Sequence, residues 1–170
     1  MYVPFENIPE HARVWIYQAS RPLSDTEIQL TQQKGQQFVK QWAAHGQDLH
    51  ASTAVLHRHF LIFALDEHHH AASGCSIDSS VGFVRAIEEA LSTSGQTVSF
   101  FDRTLIAFYQ DDTVRLVPLP DAKTQIATGH IASDTLTFNN LVGTKGDLED
   151  QWLVPIKDSW LARHLPKVQA

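Results

Sequence analysis

Ala51-Ser52-Thr53-Ala54-Val55-Leu56-His57-Arg58-His59-Phe60-Leu61-Ile62-Phe63-Ala64-Leu65 is the stretch that decides the fold. Two strand-like runs flank the polar knot His57-Arg58-His59, and this arrangement predicts a β-hairpin. The second run, Phe60 to Leu65, is apolar at every position, as a strand covered on both faces requires. It is expected to be the most buried strand, at the centre of the sheet.

Upstream, Arg13-Val14-Trp15-Ile16-Tyr17-Gln18 has the β-branched and aromatic character of a first strand. Ser24-Asp25-Thr26-Glu27 then has the spacing of a capping box, so a helix should begin there. Ile28, Phe38, Val39 and Trp42 suit one face of it. Gly35 weakens its middle by about 1 kcal/mol relative to Ala, and Gly46 is a natural stop. Downstream of the hairpin, Ile77, Val81, Val84, Ile87 and Leu91 recur at helical spacing and predict an amphipathic helix.

Strand character resumes at Phe100-Phe101 and from Thr104 to Tyr109. The turn Gln110 to Thr113 leads to Val114 to Val117, a second hairpin. A short helix near Ala122 to Ala127, a strand from Thr135 to Phe138, a helix within 144–152 and a last turn at Ser159 to Leu165 complete the chain. Trp15, Trp42, Trp152 and Trp160 are read as core or as lids for the small C-terminal helices.

The order strand, helix, strand, strand, helix, strand is that of an α+β protein with a ferredoxin-like split βαβ core (βαββαβ), extended by an additional strand and small C-terminal helices. One domain over residues 1–170 is expected, with its core at about 13–118 and an extension at about 119–170. The links between strands are too short for the crossovers of a doubly wound parallel sheet.

Composition narrows the function classes. With 43% hydrophobic and 19% charged residues the chain is an ordinary globular sequence, neither disordered nor membrane-embedded. Its net charge of -6 includes no basic run able to neutralise successive phosphates, so nucleic acid is not an expected partner. No signal peptide or uninterrupted apolar span stands in it, and Cys75 is the single cysteine. Cytoplasm is the expected location, with no membrane association.

Several strings span nearly the whole chain: Val3-Pro4-Phe5-Glu6-Asn7, Arg13 to Gln18, Gly74-Cys75-Ser76-Ile77-Asp78-Ser79-Ser80, Phe101-Asp102-Arg103-Thr104 and Phe138-Asn139-Asn140-Leu141. They resemble a small bacterial family often labelled "ABC transporter ATPase". The resemblance implies no particular activity, substrate or site. ATP hydrolysis of that kind needs a Gly-x-x-x-x-Gly-Lys-Ser/Thr loop, and Gly143-Thr144-Lys145-Gly146 has neither its length nor its order.

The candidate site lies around Cys75, at the start of the second long helix, where free backbone N–H groups favour an anion or a thiolate. Ser73, Ser76 and Ser79 offer hydroxyls there, and Gly74 allows close approach to the backbone. Asp78 works against an anion by its charge. The alternative is that Ser76 or Asp78 caps the helix and Cys75 packs as a small hydrophobe. Arg103 could hold a carboxylate or phosphate or form a structural ion pair with Asp102. Asn139 and Asn140 suit a turn, or a pocket wall.

His68-His69-His70, with His57 and His59, offers imidazoles. Three adjacent histidines cannot easily all face one ion, and the spacing matches no standard zinc site, so a solvated loop is expected, with neither metal nor cofactor. The leading expectation is a small anionic ligand or a protein partner held near Cys75. One alternative is a thiol hydrolase or redox protein with Cys75 as nucleophile and a histidine as base. Another is a structural module that pairs with itself, as a homodimer, through a sheet edge.

Overall fold

A computed structural model describes residues 1–92 and 96–167 as a mixed helix-and-sheet protein with antiparallel sheets. The chain forms two compact units. The first takes residues Met1–Asp102 and Gly143–Leu148, and the second takes Arg103–Val142 and the residues from Glu149 onward.

In the first unit, β1 (Arg13–Gln18) is followed by α1 (Asp25–Gln41) and by the two-residue strands β2 (Ala43–Ala44) and β3 (Gln47–Asp48). β4 (Ala51–Leu56), β5 (Phe60–Leu65) and α2 (Gly74–Leu91) come next. The hairpin is as the sequence predicts. β5 is fully buried and central in the order β1-β5-β4, pairing antiparallel with both neighbours, Arg13 opposite Leu65 on one side and Ala51 opposite Leu65 on the other. An all-apolar strand belongs there because both its faces are withdrawn from water.

α1 starts with the expected capping box, Ser24 and Glu27 satisfying each other's backbone N–H groups. Arg21 makes a two-pronged contact with Glu27, at 2.9 and 2.8 Å. The helix ends at Gln41 rather than at Gly46, because Trp42 leaves the helical region and Gly46, with φ of 78°, forms the turn between β2 and β3. On the helix-facing side of the sheet, Phe38, Trp42 and Phe83 gather around Phe63, with the Phe38 and Phe83 rings stacked at 4.8 Å.

The inward stripe of α2 is Ser76, Ser80, Val84, Ile87 and Leu91, so its first two turns are rotated from the expected Ile77 and Val81. Two buried serines can occupy those positions because their hydroxyls bond to the helix's own carbonyls, Ser76 to Ser73 and Ser80 to Ile77. The Ser76 carbonyl also accepts the indole N–H of Trp42 at 2.8 Å, which requires the helix start to lie close to α1.

The free edge of β1 is met by residues from much later in the chain. Val14 N–H donates to the Gly143 carbonyl, and Arg13 bridges Thr144. The buried Lys145 ammonium donates to the carbonyls of Glu6 and Ile8.

The second unit holds β6 (Leu105–Gln110), β7 (Thr113–Pro118), α3 (Leu119–Ala127), β8 (Leu136–Phe138) and β9 (Leu153–Pro155), its sheet ordered β7-β6-β8-β9. The strand expected to complete the first sheet, near 104–109, therefore pairs with β7 and β8 instead. Asp111 and Asp112 both have positive φ, the turn geometry that matches strand twist in a two-residue hairpin. Phe100-Phe101 lies outside any strand.

Ile126, Ile131, Ile156 and Leu161 fill this unit's core beside Phe108. The helix within 144–152 is confined to α4 (Lys145–Asp150), and β9 follows where a helix end was expected. Trp152 is buried, but Trp160 is half exposed. Among the described residues, no helix is long and apolar enough to cross a membrane.

Candidate metal centre

The register of the three-stranded sheet brings chemistry together at one end. Leu65, the last residue of β5, lies opposite Arg13 at the start of β1 and opposite Ala51 at the start of β4. The residues just beyond those ends, His11, His50 and Asp66, are therefore carried to one rim, and the loop after Asp66 adds His68 and His69. Four of the chain's ten histidines surround one carboxylate.

Asp66 is the fixed point. Its backbone N–H donates to the His50 carbonyl at 2.9 Å, continuing the ladder of β4 and β5 by one residue. Its Oδ1 accepts from the backbone N–H of His68 at 3.0 Å, closing a tight turn, and lies 3.0 Å from His11 Nε2. Its Oδ2 lies 3.6 Å from His69 Nε2. The carboxylate side chain is 12% exposed, whereas those of His11 and His69 are 45% and 53% exposed. The anionic donor is thus held inside and the imidazoles face solvent.

The rings are ordered in two pairs. His11 stacks on His68 with centroids 3.8 Å apart, and His50 stacks on His69 at 3.9 Å. Neighbouring residues 68 and 69 therefore serve opposite sides of the rim, one with His11, two residues before β1, and the other with His50, immediately before β4.

Burial pushes the Asp66 carboxyl up, but the hydrogen bonds from His11 and from the His68 backbone outweigh it, leaving the group below its ordinary range and ionised. Burial, with His69 beside it, lowers His50 and favours the neutral imidazole, the form that ligates metals. With Asp66 ionised, His11 Nε2 carries the proton it shares with Oδ1. A cation at that position would displace this proton to the other ring nitrogen or to solvent.

Among the described residues, His11, Asp66 and His68 form the one group of three metal-type donors with ligand atoms all within 4.8 Å of one another. Cys75 takes no part in it. His57 and His59 sit in the hairpin at the opposite end of β5, more than about 20 Å from Asp66 at roughly 3.3 Å per residue. They cannot join His68 to His70 at one ion. His59 is instead buried, its Nδ1 2.7 Å from the His57 carbonyl, and burial lowers its proton affinity.

Cys75 and the serines beside it lie in the first unit. Cys75 is exposed in the first turn of α2, beside an open Gly74. Ser73 is the cap, in a reciprocal capping box with Ser76, so neither Ser76 nor Asp78 caps the helix as expected. Ser79 donates to the Ser76 carbonyl, and Asp78 is exposed.

Arg103, Asn139 and Asn140 belong to the second unit, whereas the Cys75 group belongs to the first. Asn140 accepts the Trp152 indole N–H at 2.9 Å, and the Asn139 carboxamide accepts the Leu141 N–H, both serving as local scaffolding. His11, His50 and Asp66 are the residues that sequence reading missed. Their signal is positional, since each stands within two residues of the end of a run already read as a strand, and only the pairing register shows that these ends coincide. Comparison of the chain with protein-family models, with curated proteins and with solved structures finds no match.

Proposed function

We propose that the first unit binds a divalent transition-metal ion at Asp66, with His11 and His68 supplying nitrogen ligands. The observation that carries this is the meeting of three ligand atoms within 4.8 Å, His11 and Asp66 being 55 residues apart, on a rim fixed by strand register. Two imidazoles with one carboxylate favour zinc, iron, cobalt or nickel over magnesium or calcium, which prefer all-oxygen sites. Three protein ligands leave coordination positions open to water or a small ligand, the pattern of a reactive rather than a closed structural centre.

The test is calorimetric titration of untagged, chelator-treated protein with Zn²⁺. Asp66→Asn should weaken binding by at least about 100-fold, the upper end of what second-shell changes cost. His57→Gln, altered at the far end of β5, should leave it intact. Equal affinity in wild type and Asp66→Asn, or no binding in the micromolar range, would refute the reading.

The order β1-β5-β4, with the Gly143–Thr144 segment at the β1 edge, supports a ferredoxin-like ancestry for the first unit, and the local strings noted above support kinship with the small bacterial family they resemble. An anionic ligand or protein partner at Cys75 has only the exposure of that thiol behind it.

A further inference from the structure

We infer that the rim holds two cations rather than one, with Asp66 bridging them. The inference rests on the metal-binding reading above and extends it. Each oxygen of the Asp66 carboxylate faces a different imidazole, Oδ1 toward His11 at 3.0 Å and Oδ2 toward His69 at 3.6 Å. Behind each of these stands a second ring, His68 stacked on His11 and His50 stacked on His69, at nearly the same separation and tilt.

The two half-sites have a common origin in the backbone. β5 is central, so its end is flanked by two strand starts, and each contributes one histidine just outside its first paired residue. Successive loop residues His68 and His69 then supply one ring to each side. A carboxylate that offers one oxygen to each of two ions sets them about 3.5–4 Å apart, the spacing at which metal pairs share a water and activate it.

One carboxylate shared by two divalent ions leaves the pair strongly positive. Two ions held there would lower the pKa of a water between them, and the hydroxide so formed would supply negative charge, its proton passing to solvent. The buried position of Asp66 fits a shared ligand, because a bridging group must be the least mobile part of the site, while the exposed rings of His11, His68 and His69 and the half-buried ring of His50 can turn out of their stacks to meet the ions. The second half-site has two donors already within reach of each other, and the His50 ring completes it by rotation.

Titration of untagged, chelator-treated full chain with Co²⁺, followed by absorption and electron paramagnetic resonance, tests the inference. The wild type should take up two equivalents with a spin-coupled signal. The double variant His50→Gln/His69→Gln should retain one uncoupled equivalent, and His11→Gln/His68→Gln should likewise lose one and the coupling. Asp66→Asn should lose the coupling and weaken both. Circular dichroism identical to wild type establishes that these rim variants fold.

A single equivalent in the wild type, unaffected by His50→Gln/His69→Gln, would overturn the two-cation inference and leave the mononuclear reading standing. No uptake at all would overturn both. Two equivalents without coupling, the second insensitive to His50 and His69, would place the extra ion elsewhere and also overturn the inference.

Discussion

Gly35 is the position at which local preference and tertiary packing make opposite demands. In the middle of α1, replacement by Ala favours the helix by about 1 kcal/mol. A Cβ there would lie 2.8 Å from Thr53 Cγ2 and 3.2 Å from its Oγ1, against an ordinary carbon contact of about 3.5–4.0 Å. Thr53 is buried on β4 opposite Phe63, and its branched side chain has little rotamer freedom, so the helix must retreat from the sheet. That retreat loosens Phe38 and Trp42 against Phe63, which puts the cost near the upper end of the roughly 1–3 kcal/mol typical of overpacking. Gly35→Ala is therefore expected to destabilise by about 1–2 kcal/mol in net. In a Thr53→Ala background the obstruction is gone, and the same substitution should stabilise by about 1 kcal/mol. Urea unfolding of the four proteins at constant slope gives both numbers. If Gly35→Ala stabilises the native sequence, or costs the same in both backgrounds, the packing argument fails.

Glu27 is held at about 2 against an ordinary 4.5, chiefly by its hydrogen bonds to Arg21, with the Ser24 backbone contributing. The unfolded chain therefore protonates first on acidification, and the stabilisation present at neutral pH is lost as pH falls from about 4.5 to about 2. Glu27→Gln should cost about 1–2 kcal/mol at pH 7 and flatten that limb of a stability-against-pH curve. Buried His59 is lowered by burial, so unfolding takes up a proton and stability drops as pH falls below about 6.5. His59→Gln should show a smaller drop when midpoints are compared at pH 7 and pH 5.5, the remainder coming from His57 and His50, which burial lowers as well. Cys75 should react stoichiometrically with a thiol reagent in the folded protein, and Cys75→Ser should shift stability by less than about 0.5 kcal/mol. Loss of the cap in Ser73→Ala should cost about 1 kcal/mol in the same urea assay.

What the sequence makes legible is what short-range physics controls. The strand pair Ala51–Leu56 and Phe60–Leu65, the capping box at Ser24 and the existence of α2 all follow from patterns within a few residues. The rotated stripe of α2 is less visible, because buried Ser76 and Ser80 look like surface residues until the Trp42 indole and the helix's own carbonyls are seen to satisfy the buried groups. The partners of the strand at 105–110 are a long-range choice that no local pattern encodes. The same holds for the rim, where His11, His50 and Asp66 are unremarkable singly and acquire meaning only through register. Cys75 is the single cysteine of the sequence, and uniqueness carries no spatial information.

The strip of late sequence along the β1 edge sets a clock on the birth of the protein. At about 5–20 residues per second, a ribosome needs about 2–9 s to travel from Asp102 to Leu148. For that interval the Val14 amide and its neighbours wait for Gly143, and the Glu6 and Ile8 carbonyls wait for Lys145. A nascent chain with its sheet open on one side is a ready partner for another such chain, so crowded translation is the stage at which this protein is most exposed to misassembly.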